Sequence, residues 1–434
     1  MIRKQALFSI VDMNDFLARA LTWADTFSHF SYFQSNAIDY PFGAFPHILF
    51  VGASEVISGE KSDVFSDVRT FHAAQQDYLT GFFGYDLKNQ IEDLESHHPD
   101  PLDSAPFCFF RPLHILIFSE NSVRIHSADT PSLLFDAITS SPLPIPDQHT
   151  SIGLKAHMSR KQYLEKFDKI RWHIEEGDVY ELNLCMAFTG EADISPVYRY
   201  LELNSLSPAP FSVLQKTGSH YLLSASPERF IRRAGNSVLS QPIKGTAPRG
   251  ITPEEDEKLK KALRHNEKEL AENMMIADLV RNDLARTAIP GSVRAEELFG
   301  IYSFRQVHQM ITSISSEVSH DTHWTDIIRN AFPMGSMTGA PKVMAMRLIE
   351  QYEHTRRGMY SGAAGFVTPE GDFDFNVVIR SLIYNADTHA LGFQVGSAIT
   401  YDADGPSEYD ECLLKATALC KMLGADISDF YQAD

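Results

Sequence analysis

The sequence has few cysteines and no long apolar segment, and each absence excludes a class of protein. Its four cysteines, Cys108, Cys185, Cys412 and Cys420, show no CxxC spacing, so neither a disulfide framework nor a zinc site is indicated. No run of 18 apolar residues occurs, so we expect no membrane span. The N-terminal apolar run is short and broken by Asp12, which does not match a signal peptide. We therefore expect a cytoplasmic protein.

Positive charge is also scarce, because the sequence has 38 basic and 57 acidic residues and a net charge of −19. This balance argues against nucleic acid or an anionic membrane as the partner. An anionic substrate remains compatible, since local cations or a bound metal can invert the field within one cleft. Apolar residues are plentiful, at 44% of 434 residues. A chain of this size forms two domains or one large composite core.

A proline-rich stretch, residues 140–146, is the best candidate for a linker. We therefore predict an N-terminal region over residues 1–150 and a second region over residues 151–434. The second region opens with a helix that has capping-box spacing between Ser159 and Gln162.

Two short segments around a predicted hairpin carry a possible acid and a possible nucleophile. Glu228 lies in the segment SPERF and Lys244 in the segment PIKGT. A three-residue loop centred on Asn236 would place the two side chains opposite each other, whereas a two-residue Gly-Asn loop would place them on opposite faces. We favour the first register, because it forms an acid and nucleophile pair. The alternative is a surface cross-strand ion pair, which is worth little.

Two acidic pairs occur at helical spacing far apart in the chain. Glu269 and Glu272 form the first pair, and Glu408 and Glu411 form the second, with Lys415 on the same helical face. Each pair alone is typical of a solvated surface. Together they would repel by about 3 kcal/mol per pair at about 5 Å and an effective dielectric constant near 20. A hard cation with oxygen ligands would relieve this repulsion, which indicates Mg²⁺.

Between these helices lie glycine-containing segments that can approach a ligand closely. Residues 335–342 resemble a phosphate-binding loop but lack the GxxxxGK[ST] spacing, so we reject a nucleotide P-loop. Arg380 follows an apolar strand and could bind a carboxylate through two parallel hydrogen bonds. For each glycine alone, an ordinary turn or bulge is the simpler interpretation.

Together these motifs resemble those of the chorismate-utilising enzymes, a family that includes anthranilate, aminodeoxychorismate, isochorismate and salicylate synthases. The resemblance covers about residues 159–425 in the family's order, whereas residues 1–140 match only loosely. Its carriers are DVYELNL (178–184), SPERF (226–230), PIKGT (242–246), AENMMIADLVRND (271–283), GSMTGAPK (335–342), RGMYSG (357–362) and the helix with Glu408, Glu411 and Lys415. The resemblance implies an α+β fold of two packed, largely antiparallel sheets flanked by helices. It also implies that residues 1–150 contribute to a shared core and that residues 151–434 bind chorismate.

The residue at position 244 separates activities within this family. Anthranilate synthases usually carry alanine there, and aminodeoxychorismate synthases carry lysine, as this chain does. The resemblance therefore implies a transferase that makes 4-amino-4-deoxychorismate on the para-aminobenzoate and folate pathway. Anthranilate synthesis is the nearest alternative, and isochorismate or salicylate synthesis a more distant one. A non-catalytic relative is disfavoured, because Lys244, Glu228 and both acidic pairs are intact.

The resemblance also implies roles for individual residues. Lys244 would attack C2 of chorismate while Glu228 protonates the departing 4-hydroxyl; His308 would lie close to the substrate in a role left open. Because a lysine of ordinary pKa, about 10.4, is almost fully protonated at pH 7, burial would have to lower the pKa of Lys244. Mg²⁺ would be held by Glu272 and Glu411, with Glu269 and Glu408 reached through water. The implied substrate-binding residues are Thr246, Thr338, Tyr360, Arg380, Gly396, Ser397 and Lys415.

Departures from the family pattern bear on the reaction and on the ammonia source. Glu181 stands where the family often has glutamine and where isochorismate-type enzymes have a lysine, which argues against addition of water at C2. Gly396-Ser397-Ala398 replaces the commoner Gly-Ala-Gly. No GxCxG elbow with an accompanying histidine is visible. We therefore expect ammonia to come from free ammonium or from a glutamine amidotransferase partner subunit.

Overall fold

The computed structural model describes residues 3–147, 151–305 and 307–432. Across these ranges the chain forms twenty β-strands, two short 3₁₀ helices and eleven α-helices. The strands are β1 Lys4–Ser9, β2 His29–Gln34, β3 Ile48–Ser58, β4 Leu79–Phe83, β5 Phe107–Ser119, β6 Ser122–Ser127, β7 Lys155–Ala156, β8 Glu181–Glu191, β9 Phe211–Thr217, β10 His220–Ser226, β11 Arg229–Ala234, β12 Ser237–Gln241, β13 Ile243–Pro248, β14 Arg294–Ser303, β15 Val307–Glu317, β16 Gly339–Ala340, β17 Ala363–Val367, β18 Phe373–Asn376, β19 Ser381–Asn385 and β20 Ala390–Ile399. The helices are α1 Met13–Asp25, α2 Val64–Ala74, α3 Pro131–Ser140, α4 Arg160–Glu175, α5 Pro196–Leu206, α6 Pro253–Arg264, α7 Glu267–Ala285, α8 Trp324–Ala331, α9 Lys342–Tyr352, α10 Gly405–Leu423 and α11 Ser428–Gln432, and the 3₁₀ helices span Tyr85–Gln90 and Gly335–Met337.

The strands pair in two antiparallel runs that share β5. The first run follows the order β1, β6, β5, β3, β2, β9, β10, β19, β20, β8. The second follows the order β5, β4, β17, β18, β11, β12, β15, β14, with β13 also on β15. Helices pack against both runs and enclose the apolar core. The predicted α+β class, with largely antiparallel sheets flanked by helices, is confirmed.

Strands from the first third of the chain pair directly with strands from the remainder. β2 pairs with β9, and β4 pairs with β17. Residues 142–147 have no regular secondary structure, whereas Ser140, the first residue of the predicted linker, belongs to α3. The predicted boundary at residue 150 falls on residues 148–150, which lie outside the described residues, so the two-region division stays a prediction.

Local sequence signals predicted helix α4 well. Ser159 and Gln162 form both hydrogen bonds of a capping box, and the predicted apolar stripe is buried. Its members are Tyr163, Phe167, Ile170 and Ile174. None of the described helices is long and apolar enough to cross a membrane.

The hairpin between β11 and β12 has a different register from the one favoured. Ala234 pairs with Ser237, so the loop has two residues, with Gly235 at a positive φ of 60°. A glycine of positive φ is what two-residue hairpin turns require. β13 then pairs with β15 rather than with β11. The prediction that Glu228 and Lys244 face each other across one hairpin is therefore wrong.

Candidate active site

The side chain of Lys244 forms an ion pair with Glu181 rather than with Glu228. Lys244 lies on β13 and Glu181 at the start of β8, 63 residues earlier, and Nζ donates to Glu181 Oε1. Both side chains are buried, with exposed fractions of 11% and 1%. Glu181 Oε2 is buried and has no hydrogen-bond partner among the described residues. The pair is therefore an internal feature and not a surface ion pair.

The surroundings of Lys244 keep its side chain charged. Burial has the largest single influence and lowers its pKa, but Glu181, Glu272 and Glu228 together outweigh burial and raise the pKa above its ordinary value. Burial thus acts in the direction that a nucleophilic lysine requires, but the neighbouring carboxylates reverse its effect on the pKa. A nucleophilic role for Lys244 requires that some of this negative charge be neutralised first.

Glu228 lies between β10 and β11, and its carboxyl is buried. Ser336 Oγ, from the 3₁₀ helix Gly335–Met337, donates to Glu228 Oε1 at 2.7 Å. Burial raises the pKa of Glu228 to about 7, although Ser336 and Lys244 act in the opposite direction. A carboxyl group with a pKa near the working pH can hold a proton and deliver it to a leaving oxygen, which is the requirement for a general acid.

The two acidic pairs lie on α7 and α10 and are connected by a lysine. Lys268 Nζ is 3.8 Å from Glu272 Oε1 and 3.4 Å from Glu408 Oε1. Ser397 Oγ donates to the other oxygen of Glu408. The sequence interpretation did not include Lys268, although its i,i+4 spacing from Glu272 was a visible signal.

The pKa values of Glu269 and Glu272 are raised, chiefly by burial and in part by neighbouring carboxylates. The pKa of Glu272 is raised to about 7, mainly by burial, with Glu181 and Glu269 adding to the rise and Lys244 and Lys268 opposing it. The pKa of Glu269 is raised by burial and by Glu411 and Glu408, against the influence of Lys268. The acidic pairs on the two helices therefore face a common space.

The donor set in this space fits Mg²⁺ in its chemistry, because Mg²⁺ prefers carboxylate oxygens and retained water. No group of three or more histidine, cysteine, aspartate or glutamate side chains within the described residues converges closely enough to hold an ion. Lys268 lies between Glu272 and Glu408 where such convergence would be needed. Metal binding would thus require movement of these side chains.

A glycine brings the strand of Lys244 close to the first acidic pair. Gly245 has a positive φ of 91°, and a Cβ added there would lie 3.0 Å from Glu269 Oε2. Asn273 Nδ2 also donates to the carbonyl of Lys244 at 3.2 Å. The absence of a side chain at Gly245 therefore allows β13 to lie close to α7.

Among the described residues, Arg380 is a cation whose guanidinium group has no hydrogen-bonded or ion-paired partner. Its guanidinium group makes no hydrogen bond or ion pair with any residue in the described ranges, although the residue is half-buried. Burial lowers its pKa, and Glu411 partly restores it. Its backbone has φ of +50°, a rare conformation for a residue other than glycine. A free guanidinium in this position can bind a carboxylate of a ligand.

A buried arginine, Arg357, connects two parts of the site, and the sequence interpretation gave it no role. Arg357 donates to both oxygens of Glu353, at 2.6 and 3.0 Å. It also donates to the carbonyls of Asn183 at 2.9 Å and Met337 at 2.6 Å. Arg357 thereby connects β8, which carries Glu181, to the 3₁₀ helix that carries Ser336. Only the contact with Glu353, at i,i+4 spacing, has a local signal in the sequence, whereas the contacts with Asn183 and Met337 have none.

Of the remaining predicted substrate residues, Tyr360, Thr338 and Lys415 make contacts within the protein. Tyr360 is buried, with its hydroxyl 3.7 Å from Cys185 Sγ, and the Thr338 hydroxyl donates to the Met334 carbonyl at 3.2 Å. Lys415 Nζ donates to the Gly396 carbonyl at 2.9 Å.

Thr246 and His308 are the other two predicted residues, and His308 is fully buried. Thr246 is exposed. The ring nitrogens of His308 contact Asp256 at 3.0 Å and Ser303 at 2.8 Å. No contact joins His308 to Lys244 or to the acidic pairs among the described residues, so its catalytic assignment has no geometric support.

Comparison with known proteins connects this geometry to a family. The chain matches the chorismate binding enzymes over residues 29–421. The chain belongs to the chorismate binding enzyme family.

Named members of the chorismate binding enzymes match most of the chain. It is 34% identical over 346 residues to aminodeoxychorismate synthase component 1 of Klebsiella aerogenes, covering 79% of this chain and 76% of the relative. It is 31% identical over 355 residues to anthranilate synthase component 1 of Thermus thermophilus, covering 79% and 76%. The fold resembles the crystal structure of anthranilate synthase component I from Streptococcus pneumoniae, with a TM-score of 0.73, 23% identity and coverage of 96% and 92%.

Proposed function

We propose that this chorismate binding enzyme converts chorismate and ammonia to 4-amino-4-deoxychorismate, as expected of an aminodeoxychorismate synthase component 1. The observation that carries the proposal is the burial of Lys244 in one site with Glu228, a carboxyl of raised pKa. A similarity to relatives named aminodeoxychorismate synthase supports it.

The proposed reaction uses an amine nucleophile and a carboxyl acid in sequence. The neutral amine of Lys244 forms a bond to C2, both ring double bonds shift by one position, and the C4–oxygen bond breaks. Glu228 gives its proton to that oxygen, which leaves as water. Ammonia then adds at C4 and the bond from C2 to Lys244 breaks. The proton released by the added amine returns Glu228 to its acid form.

Binding of the substrate would use the cations and polar groups around these two residues. Arg380, which has no partner in the described part of the chain, would bind the enolpyruvyl carboxylate together with Tyr360 and the backbone near Gly396. Glu272 and Glu411 would hold Mg²⁺, with Glu269 and Glu408 acting through water. When bound, the ion would supply positive charge for the ring carboxylate.

The amino group would come from glutamine through a partner subunit. Relatives named component 1 support a second component, so we propose a glutamine amidotransferase as the physiological source of ammonia and free ammonium as its substitute in vitro. The proposed product would place the reaction on the para-aminobenzoate and folate pathway. The cytoplasmic location remains a prediction.

Anthranilate synthesis is the second candidate, because relatives of that name are also more than 30% identical over most of the chain. The two activities give products of different mass and different by-products. Only anthranilate formation removes the enolpyruvyl group as pyruvate.

Incubation of the purified chain with chorismate, Mg²⁺ and ammonium, followed by mass spectrometry, tests the proposal. We expect 4-amino-4-deoxychorismate and no pyruvate. We also expect that glutamine replaces ammonium only when an amidotransferase subunit is added. Anthranilate with pyruvate would establish the second candidate, and a hydroxylated isomer of chorismate would refute both.

A further inference from the structure

Lys268 occupies a position that the proposed reaction does not use. It is the second residue of α7 and lies one helical turn before Glu272. Its ammonium group is 3.8 Å from Glu272 Oε1 and 3.4 Å from Glu408 Oε1. The side chain of Lys268 is 41% exposed, whereas those of Glu272 and Glu408 are 11% and 6% exposed. One flexible cation thus serves two buried carboxylates from different helices.

This contact joins the two helices that carry the acidic pairs. Among the ion pairs of the described residues, the one between Lys268 and Glu408 is the only one that connects α7 to α10. Neither glutamate is fully neutralised in another way, because Glu408 otherwise accepts from the Ser397 hydroxyl and Glu272 from the Thr400 hydroxyl. Lys268 therefore supplies positive charge to both carboxylates, and Lys244 adds to it at Glu272.

We propose that Lys268 competes with a divalent cation for the carboxylates of Glu272 and Glu408. The inference deepens the proposed function, because it rests on the Mg²⁺ site assigned there. An ion coordinated by either carboxylate has to displace the ammonium group from the space between them. A half-exposed lysine can leave, because its long stem reaches solvent without movement of the helix. Lys268 would hold α7 and α10 together at the cost of weaker metal binding.

Calorimetric titration of the purified chain with Mg²⁺ tests this competition without reference to turnover. Lys268→Gln removes the competing charge and should tighten Mg²⁺ binding by about 5-fold, the effect of losing two partly exposed ion pairs. Lys258→Gln is the matched control, because Lys258 is an exposed lysine of the neighbouring helix α6. It removes the same charge from an acidic protein and should change the affinity by less than about 2-fold.

Chemical acetylation gives an independent measurement. Mg²⁺ should accelerate acetylation of Lys268, because its ammonium group is released to solvent, and should leave the rate at Lys258 unchanged. Peptide mass spectrometry reports the two rates within one sample.

The outcomes separate this inference from the proposed function. If the unmodified chain binds Mg²⁺ and Lys268→Gln binds it no more tightly, the competition is refuted and the Mg²⁺ site is not. Acetylation of Lys268 that does not respond to bound Mg²⁺ would overturn it in the same way. Absence of Mg²⁺ binding in all three proteins would refute the metal site itself, whereas the amination of chorismate is tested separately by its product.

Discussion

Removal of Lys244 should reduce stability as well as turnover. The Lys244→Ala substitution leaves the carboxylate of Glu181 buried without its ion-pair partner, and its second oxygen already has no partner among the described residues. Loss of one member of a buried pair costs about 3–5 kcal/mol. We expect about 3 kcal/mol, the lower end, because the Lys244 side chain is not fully buried and water can enter the space that it leaves.

This free energy corresponds to a small but measurable change in melting temperature. For 434 residues and an unfolding entropy of about 2.1 cal/mol/K per residue, 3 kcal/mol lowers the melting temperature by about 3 °C. Calorimetric or circular-dichroism melting curves resolve such a difference. The same variant should form no 4-amino-4-deoxychorismate, since its nucleophile is gone.

A double variant separates the chemical effect from the structural one. Lys244→Ala combined with Glu181→Gln removes both charges, so the melting temperature should recover most of the loss while activity stays absent. A single variant that melts at the temperature of the unmodified protein, with no recovery in the double variant, would refute the reasoning that Glu181 depends on Lys244. Retained amination in Lys244→Ala would refute the assignment of the nucleophile.

Two further predictions concern the acid and the free guanidinium. Because the pKa of Glu228 is raised to about 7 by burial and the protonated form is the general acid, turnover should fall as pH rises through about 7. Glu228→Gln should lower kcat by about 10²- to 10⁴-fold, and its residual rate should no longer fall as pH rises through about 7. A residual rate with an unchanged pH profile would assign the titration to another group. Arg380→Ala should raise KM for chorismate at least about 10-fold. It should leave the melting temperature within about 1 °C, because the guanidinium has no partner within the described residues. Arg380→Lys should restore part of the affinity, and an unchanged KM in Arg380→Ala would exclude Arg380 from the substrate site.

Regular elements of the fold were predictable where local signals decide them. Ser159 and Gln162 marked the start of α4, and its apolar stripe predicted the buried face. The hairpin was placed correctly by Gly235 and Asn236, but its loop has two residues rather than the three favoured, and a bulge between Arg229 and Arg232 shifts the pairing further. Such a bulge leaves no signal in the composition of the strand, so facing residues could not be assigned from spacing.

The candidate site was predictable in its membership and not in its pairing. Lys244, Glu228 and the two acidic pairs were singled out by motif, and they lie near one another. The partner of Lys244 is Glu181, whose contact depends on how β8 and β13 meet in three dimensions. Arg357 was missed for the same reason, because it acts on residues 20 and 174 positions away. His308 was assigned by resemblance alone, and it contacts Asp256 instead.

The pairing of β4 with β17 has a consequence for synthesis on the ribosome. Thr80 of β4 donates its hydroxyl hydrogen to the carbonyl of Gly365, 285 residues later. At about 5–20 residues per second, this partner emerges roughly 15–60 s after β4. Throughout that interval one edge of β4 has no strand to pair with, so its backbone and apolar side chains can associate with strands of other nascent chains. Yield on overexpression should therefore depend on slow translation or on chaperones that cover the early strands until residue 367 has left the ribosome.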